Sequence, residues 1–260
     1  KIAPPVGADV MQYEKKIMVT EVAAMRLVRQ NPAIPVPAIY CYDDALDLCD
    51  APYFFMEKID GDNLEHIKAG LPPETQAAVD RQIGAIIREV NTFQGAYFGY
   101  DGNPELRGQT WRATFLKLME TLLEDAARKQ AVFDYSYDEL RAATLKHAPA
   151  LDEITTPCLV HWDAWNPNFF VRDGKVTGII DFERALWAEP LMEAQFRRFG
   201  NDEVNDAMRG YGKTTFTFAE EERNRLYTLH LALTMNIECY YRNYDTDEIS
   251  NMSRQFIADT

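Results

Sequence analysis

Four residues in the second half of the chain combine types and spacing that can do chemistry. His161, Asp163 and Asn168 form the pattern H-x-D-x-x-x-x-N, and Asp181 follows two apolar residues in Ile179-Ile180-Asp181-Phe182. With 4 His, 21 Asp and 12 Asn in 260 residues, about 0.015 chance occurrences of the first pattern are expected. Coincidence is therefore a poor account of it. Carboxylate and amide oxygens are the ligands that hard divalent cations select, and a carboxylate standing between them can accept a proton. A second arrangement uses His161, Asp163 and Asp181 as ligands of a hydrolytic metal. The remaining histidines, His66, His147 and His230, lie far along the chain and offer no ligand spacing to complete it.

The elements that must position these residues are short. Cys158–His161, Asn168–Arg172 and Val176–Asp181 read as strands, the last two joined by the turn dipeptide Asp173-Gly174. Upstream, the spacing of Ile17, Val22, Met25 and Val28 predicts a helix within 9–31, closed by Pro32. Ala38–Tyr42 and Tyr53–Ile59 then read as a hairpin ended by Asp60-Gly61. Long amphipathic helices are expected over 74–93 and 109–130, a third near 137–147, and a fourth opened by the capping box Thr217-Phe-Ala-Glu220. Strands and helices in separate runs give an α+β class, with a junction near residues 60–62.

Composition narrows the partners. The chain is 47% hydrophobic and 12% aromatic, which disfavours disorder, and it has no apolar run of the roughly 20 residues a bilayer requires. A net charge of −14 argues against nucleic-acid or anionic-membrane surfaces and favours cationic partners. Glu238, Asp245, Asp247 and Glu248 are the acidic groups expected to draw such a partner. Four cysteines without a C-x-x-C pair suit reduced thiols in the cytoplasm.

The run His161–Asn168 followed by Asp181-Phe182 resembles the aminoglycoside phosphotransferase family, relatives of the protein kinases, whose loop reads H-R-D-x-x-x-x-N before D-F-G. The resemblance implies a protein-kinase-like two-lobed fold: a small β-rich lobe over 1–60, incomplete here, and a mainly helical lobe over 61–260 carrying the catalytic loop and acceptor site. It implies that Asp163 accepts the proton of a substrate hydroxyl and that Asn168 and Asp181 hold Mg²⁺ on the phosphates of ATP or GTP. His161 anchors the loop, and Glu193 holds it through hydrogen bonds. Lys1 would contact the α/β-phosphates, paired with Glu21 or, on the same helical face, Glu14. Met56 would lie behind the adenine, with backbone groups of Glu57 and Ile59 at its edge.

On this alignment two strands and a Gly-rich phosphate loop belong upstream of Lys1. The sequence also departs from the pattern. Trp165 replaces the protein-kinase loop lysine, Asn166-Pro167 replaces Pro-Gly, and Glu183 stands where kinases place the glycine that permits a flip. The expected activity is phosphoryl transfer from ATP or GTP to a hydroxyl of a small, cationic molecule such as an aminoglycoside, which would confer antibiotic resistance. The alternatives are a kinase of an amino alcohol, sugar or macrolide, and a catalytically silent nucleotide-binding scaffold.

Overall fold

The helical period around Glu21 covers a shorter span than the sequence suggests. In a computed structural model of the chain, which describes residues 1–197, 203–242, 244 and 247–259, helix α1 runs Ile17–Val28. Residues 9–16 do not join it. Lys16 takes a left-handed conformation (φ 55°), and Met11 and Tyr13 turn away to bury among the helices. Apolar spacing persisted across this break because both partners are apolar, although they pack in different places.

Strands β1 (Ile39–Asp43) and β2 (Tyr53–Met56) pair antiparallel as the expected hairpin. The start of the chain lies along the other side of β2: Ile2 bridges Tyr53, and the Phe54 amide donates to the Lys1 carbonyl at 3.0 Å. This edge pairing is what presents the Lys1 side chain to α1. A two-residue strand β3 (Asp62–Asn63) leads into the short α2 (Leu64–Ile67). Then come α3 (Pro73–Val90), α4 (Trp111–Arg128) and α5 (Tyr137–His147), each within three residues of its expected bounds.

Strand β4 (Cys158–Val160) pairs with β7 (Leu186–Ala188). Between them in sequence lie β5 (Phe169–Arg172) and β6 (Lys175–Ile179), joined by Asp173 and Gly174, both at positive φ (51° and 73°) as a type I′ turn requires. β3 adds to β5 to make a three-stranded sheet. The chain closes with α6 (Asp206–Tyr211), α7 (Phe218–Arg242) and α8 (Glu248–Asp259). Thr217 and Glu220 cap α7 reciprocally, at 2.8 and 3.2 Å.

The result is a two-lobed α+β fold, mainly helical. One hydrophobic cluster joins α1 and β2 to α3 and the β4–β7 region through Val22, Phe54, Val79, Leu159 and Phe182. The other fills the helical lobe around Trp111, Phe115, Tyr227 and Leu233. Helices α3 and α6 touch backbone to backbone: a Cβ on Gly84 would lie 1.9 Å from the Ala207 carbonyl oxygen, and one on Gly210 at 1.9 Å from that of Arg81. Only glycine permits that crossing, which seats Tyr211 against the C-terminal end of α3.

Candidate active site

β4 delivers His161, and the β5–β6 hairpin returns Asp181 beside it. His161 is fully buried and uses both ring nitrogens internally. Nδ1 accepts from the Asp163 amide at 3.2 Å, so Nε2 carries the proton and donates to the Ile180 carbonyl at 3.0 Å. Burial lowers its pKa below the ordinary imidazole value, against the pull of Asp163 and Asp181. A ring with both nitrogens spent is no metal ligand, which removes the His161–Asp163–Asp181 hydrolytic site.

Asn168 points its amide nitrogen at Asp163, donating to the carbonyl at 2.7 Å and to Oδ2 at 3.2 Å. Its amide oxygen is left facing away as a donor for a hard cation. The Ile180 amide donates to the Asn168 carbonyl at 3.0 Å, which fixes Asp181 next to Asn168. Trp162 and Asp181 are both left-handed non-glycine residues (φ 63° and 66°), and such backbones persist where the surroundings over-determine them.

The loop is held from beneath by a carboxylate. Glu193, fully buried, accepts from the His161 and Trp162 amides at 2.9 and 3.1 Å and from Asn91 Nδ2 at 2.8 Å. Burial pushes its pKa up to about 7, only partly offset by those donors. Asn91 is in turn oriented by Tyr211, whose hydroxyl donates to its Oδ1 at 2.9 Å. Neither Asn91 nor Tyr211 carries a local sequence signal; their partners lie more than a hundred residues away.

On the other side of Asp181, Lys1 Nζ lies 2.9 Å from Glu21, 2.6 Å from Asp181 and 2.6 Å from Glu183. Burial alone would lower its pKa, but the three carboxylates outweigh that and raise it. Glu21 is buried and its pKa rises through desolvation, with Lys1 opposing. Glu14 is elsewhere engaged, with Arg242 at 2.8 Å, so Glu21 is the partner of Lys1. Glu21, Asp181 and Glu183 each offer an oxygen within 4.8 Å of the others, and the Lys1 ammonium bridges all three.

At the end of β2, Met56 is half-buried against the core, and the Glu57 amide donates to the Ala38 carbonyl at 2.8 Å. Of Glu57's backbone groups this leaves the carbonyl for a ligand. Trp162 is buried packing, whereas Trp165 is exposed. The expectation of Glu238 as an exposed acid is corrected: it is 5% exposed and bonded to Tyr13 and Arg184, because the end of α7 packs into the lobe interface. Asp247 and Glu248 are exposed, and Asp245 lies outside the described residues. A cavity of about 290 Å³ beside Glu183 is lined by Asp9, Glu14, Tyr241 and Arg242, among others.

A loop aspartate backed by a metal-type Asn/Asp pair and an ion-paired lysine, set between two such lobes, defines a kinase-like phosphotransferase fold. Solved structures share it. A thermostable mutant of aminoglycoside phosphotransferase APH(4)-Ia is 18% identical with a TM-score of 0.65, covering 92% of this chain and 82% of its own. The streptomycin–ATP complex of APH(2")-IIa is 15% identical at 0.57, covering 96% and 82%. The GDP and kanamycin complex of APH(2")-IIia is 18% identical at 0.59, covering 95% and 82%. A search of curated proteins found no match. A model of the phosphotransferase enzyme family matches residues 12–196, and the chain belongs to that family. It is thus a phosphotransferase acting on an alcohol group, the enzyme class expected from its loop motif.

Proposed function

We propose that the protein moves the γ-phosphoryl group of ATP or GTP to a hydroxyl of a small cationic molecule, with residues 1–60 as the nucleotide lobe and 61–260 carrying the acceptor site. The observation that carries the reading is the convergence of Asp163, Asn168 and Asp181 on one loop–hairpin unit with the Lys1–Glu21 pair beside it. The bound nucleotides named for its structural neighbours, ATP in one and GDP in another, support a nucleotide co-substrate.

Asn168 and Asp181 would hold Mg²⁺, which when bound neutralises charge on the phosphates. Lys1 Nζ, held by Glu21, is within reach of the same groups as a phosphate contact. Met56 backs the adenine, with the Glu57 carbonyl and Ile59 backbone at its edge. Asp163 takes the proton from the acceptor hydroxyl as its oxygen bonds to the γ-phosphorus and the bond to the bridging oxygen breaks. His161 and Glu193 do not touch substrate; they keep the loop in shape.

The aminoglycosides bound by the neighbours make a cationic acceptor of that class the first choice. A role in antibiotic resistance follows if so. Amino alcohols, sugars and macrolides are the runners-up. Four unpaired cysteines suit a cytoplasmic enzyme, and among the described residues no helix is long and apolar enough to cross a membrane. The test is a phosphoryl-transfer screen with ATP and GTP across aminoglycosides, macrolides, amino alcohols and sugars. Turnover of an aminoglycoside is the expected result; tight nucleotide binding with no turnover of any acceptor or of water would favour the silent scaffold.

A further inference from the structure

Beside Asp163 lies a buried charged cluster that the reaction as described does not use. The segment 9–14 leaves the small lobe and docks on the helical lobe. The Gln12 amide donates to Asp125 at 2.8 Å, and Val10 and Gln12 carbonyls accept from Arg128 at 2.8 Å and Asn103 at 3.0 Å. Its Tyr13 hydroxyl donates to Glu238 Oε1 at 2.6 Å, and the same oxygen takes Arg184 Nη2 at 2.6 Å. Arg184 lies near the faces of Tyr13 and Trp162, 5.9 and 5.7 Å from the ring centroids. Its Nη1 is 3.9 Å from Asp163 Oδ1.

Resting on the phosphotransferase reading, we propose that Glu238 and Tyr13 are positioning residues for Asp163, acting by holding Arg184 at a set distance from it. Asp163 Oδ2 is engaged by Asn168, so Oδ1 is the oxygen left to take the acceptor's proton. At 3.9 Å the guanidinium draws Oδ1 electrostatically without filling its lone pairs, since a hydrogen bond needs about 2.7–3.2 Å. The side chains of Arg184 and Glu238 are only 9% and 7% exposed, and a buried guanidinium must keep a carboxylate partner. If Glu238 loses its charge, Asp163 is the carboxylate within reach. Arg184 then closes on Oδ1 and occupies the proton-accepting position.

The experiment uses the full chain, with nucleotide hydrolysis by water as the acceptor-independent rate and calorimetric binding of Mg·AMP-PNP as the control. Glu238→Gln should lower kcat by about 10–100-fold, and Tyr13→Phe by a few fold, while nucleotide affinity stays within about threefold. In an Asp163→Asn background Glu238→Gln should add less than about twofold, because the residue it acts through is already disabled. Replacing both charges, Arg184→Met with Glu238→Met, should recover part of the loss, as expected if the harm comes from the stranded Arg184 charge; the absence of a further loss in the Asp163→Asn background is what separates this from a purely structural role. An unchanged kcat, or a loss that multiplies in full with Asp163→Asn, overturns the proposal. Should Glu238→Gln fail to fold, Tyr13→Phe, a single hydroxyl, carries the same cycle. A parent that neither binds nor hydrolyses nucleotide would instead refute the phosphotransferase reading on which this rests.

Discussion

The two flanks of Asp163 hold their charges differently. Around Lys1 the side chains of Lys1, Asp181 and Glu183 are 29%, 31% and 20% exposed, with only Glu21 buried at 2%; around Arg184, both Arg184 and Glu238 are below 10%. Water screens the exposed pairs of the first set, Lys1 with Asp181 and with Glu183, and leaves them weak. The second set is dry, and breaking it strands a charge. Most of the charge around Lys1 is therefore open to water, and that around Arg184 is closed to it.

The sharpest way to break this contrast is at its centre. Asp163→Asn keeps the shape and removes the proton acceptor, so kcat should fall by roughly 10²–10⁴ with the melting temperature nearly unchanged. Steady-state rates beside a melt decide it; activity within about threefold of the parent would leave Asp163 without the role. Next comes Glu193→Ala, which strands the His161 and Trp162 amides and Asn91 in a dry site. A loss on the order of 3 kcal/mol is expected, read as a drop in urea midpoint, and an unmoved midpoint would mean the loop stands without its carboxylate.

Asp181→Ala acts on the wet flank and should be milder for the fold. It should raise the Mg²⁺ concentration needed for nucleotide binding by about tenfold or more while adenosine binds as before. Calorimetry at limiting Mg²⁺ showing unchanged Mg·ATP affinity would sink the metal assignment.

A further effect is in pH. Burial raises Glu193 and Glu21 to about 7, so the folded protein binds more protons than the unfolded one between about pH 4.5 and 7. Stability should therefore fall as pH rises through that window, and urea midpoints at pH 5, 6 and 7 would show it. A midpoint that climbs toward pH 7 would mean these carboxylates are not held in the dry state described.

What was legible in the sequence follows from how local each constraint is. Asp163, Asn168 and Asp181 share one loop and one hairpin, so spacing alone exposes them. The start of α7 at Phe218 was legible because Thr217 and Glu220 form a capping box within four residues. Tyr13, Arg184 and Glu238 meet only after folding, at separations of 225 and 54 residues, and no pattern in a window betrays them. The same distance explains the reading of Glu238 as a free surface acid: on a helix it looks like any other glutamate. The helix drawn over 9–31 failed for a related reason, since its first third belongs to the other lobe's core.

The left-handed backbone at Asp181 has an evolutionary consequence. Holding an L-residue there costs about 1–2 kcal/mol that glycine would not incur. Glycine would relieve that backbone cost but would lose the ion pair with Lys1 at 2.6 Å and add entropy to the unfolded chain. Selection at residue 181 therefore acts on a side chain whose contacts oppose the backbone's preference for glycine.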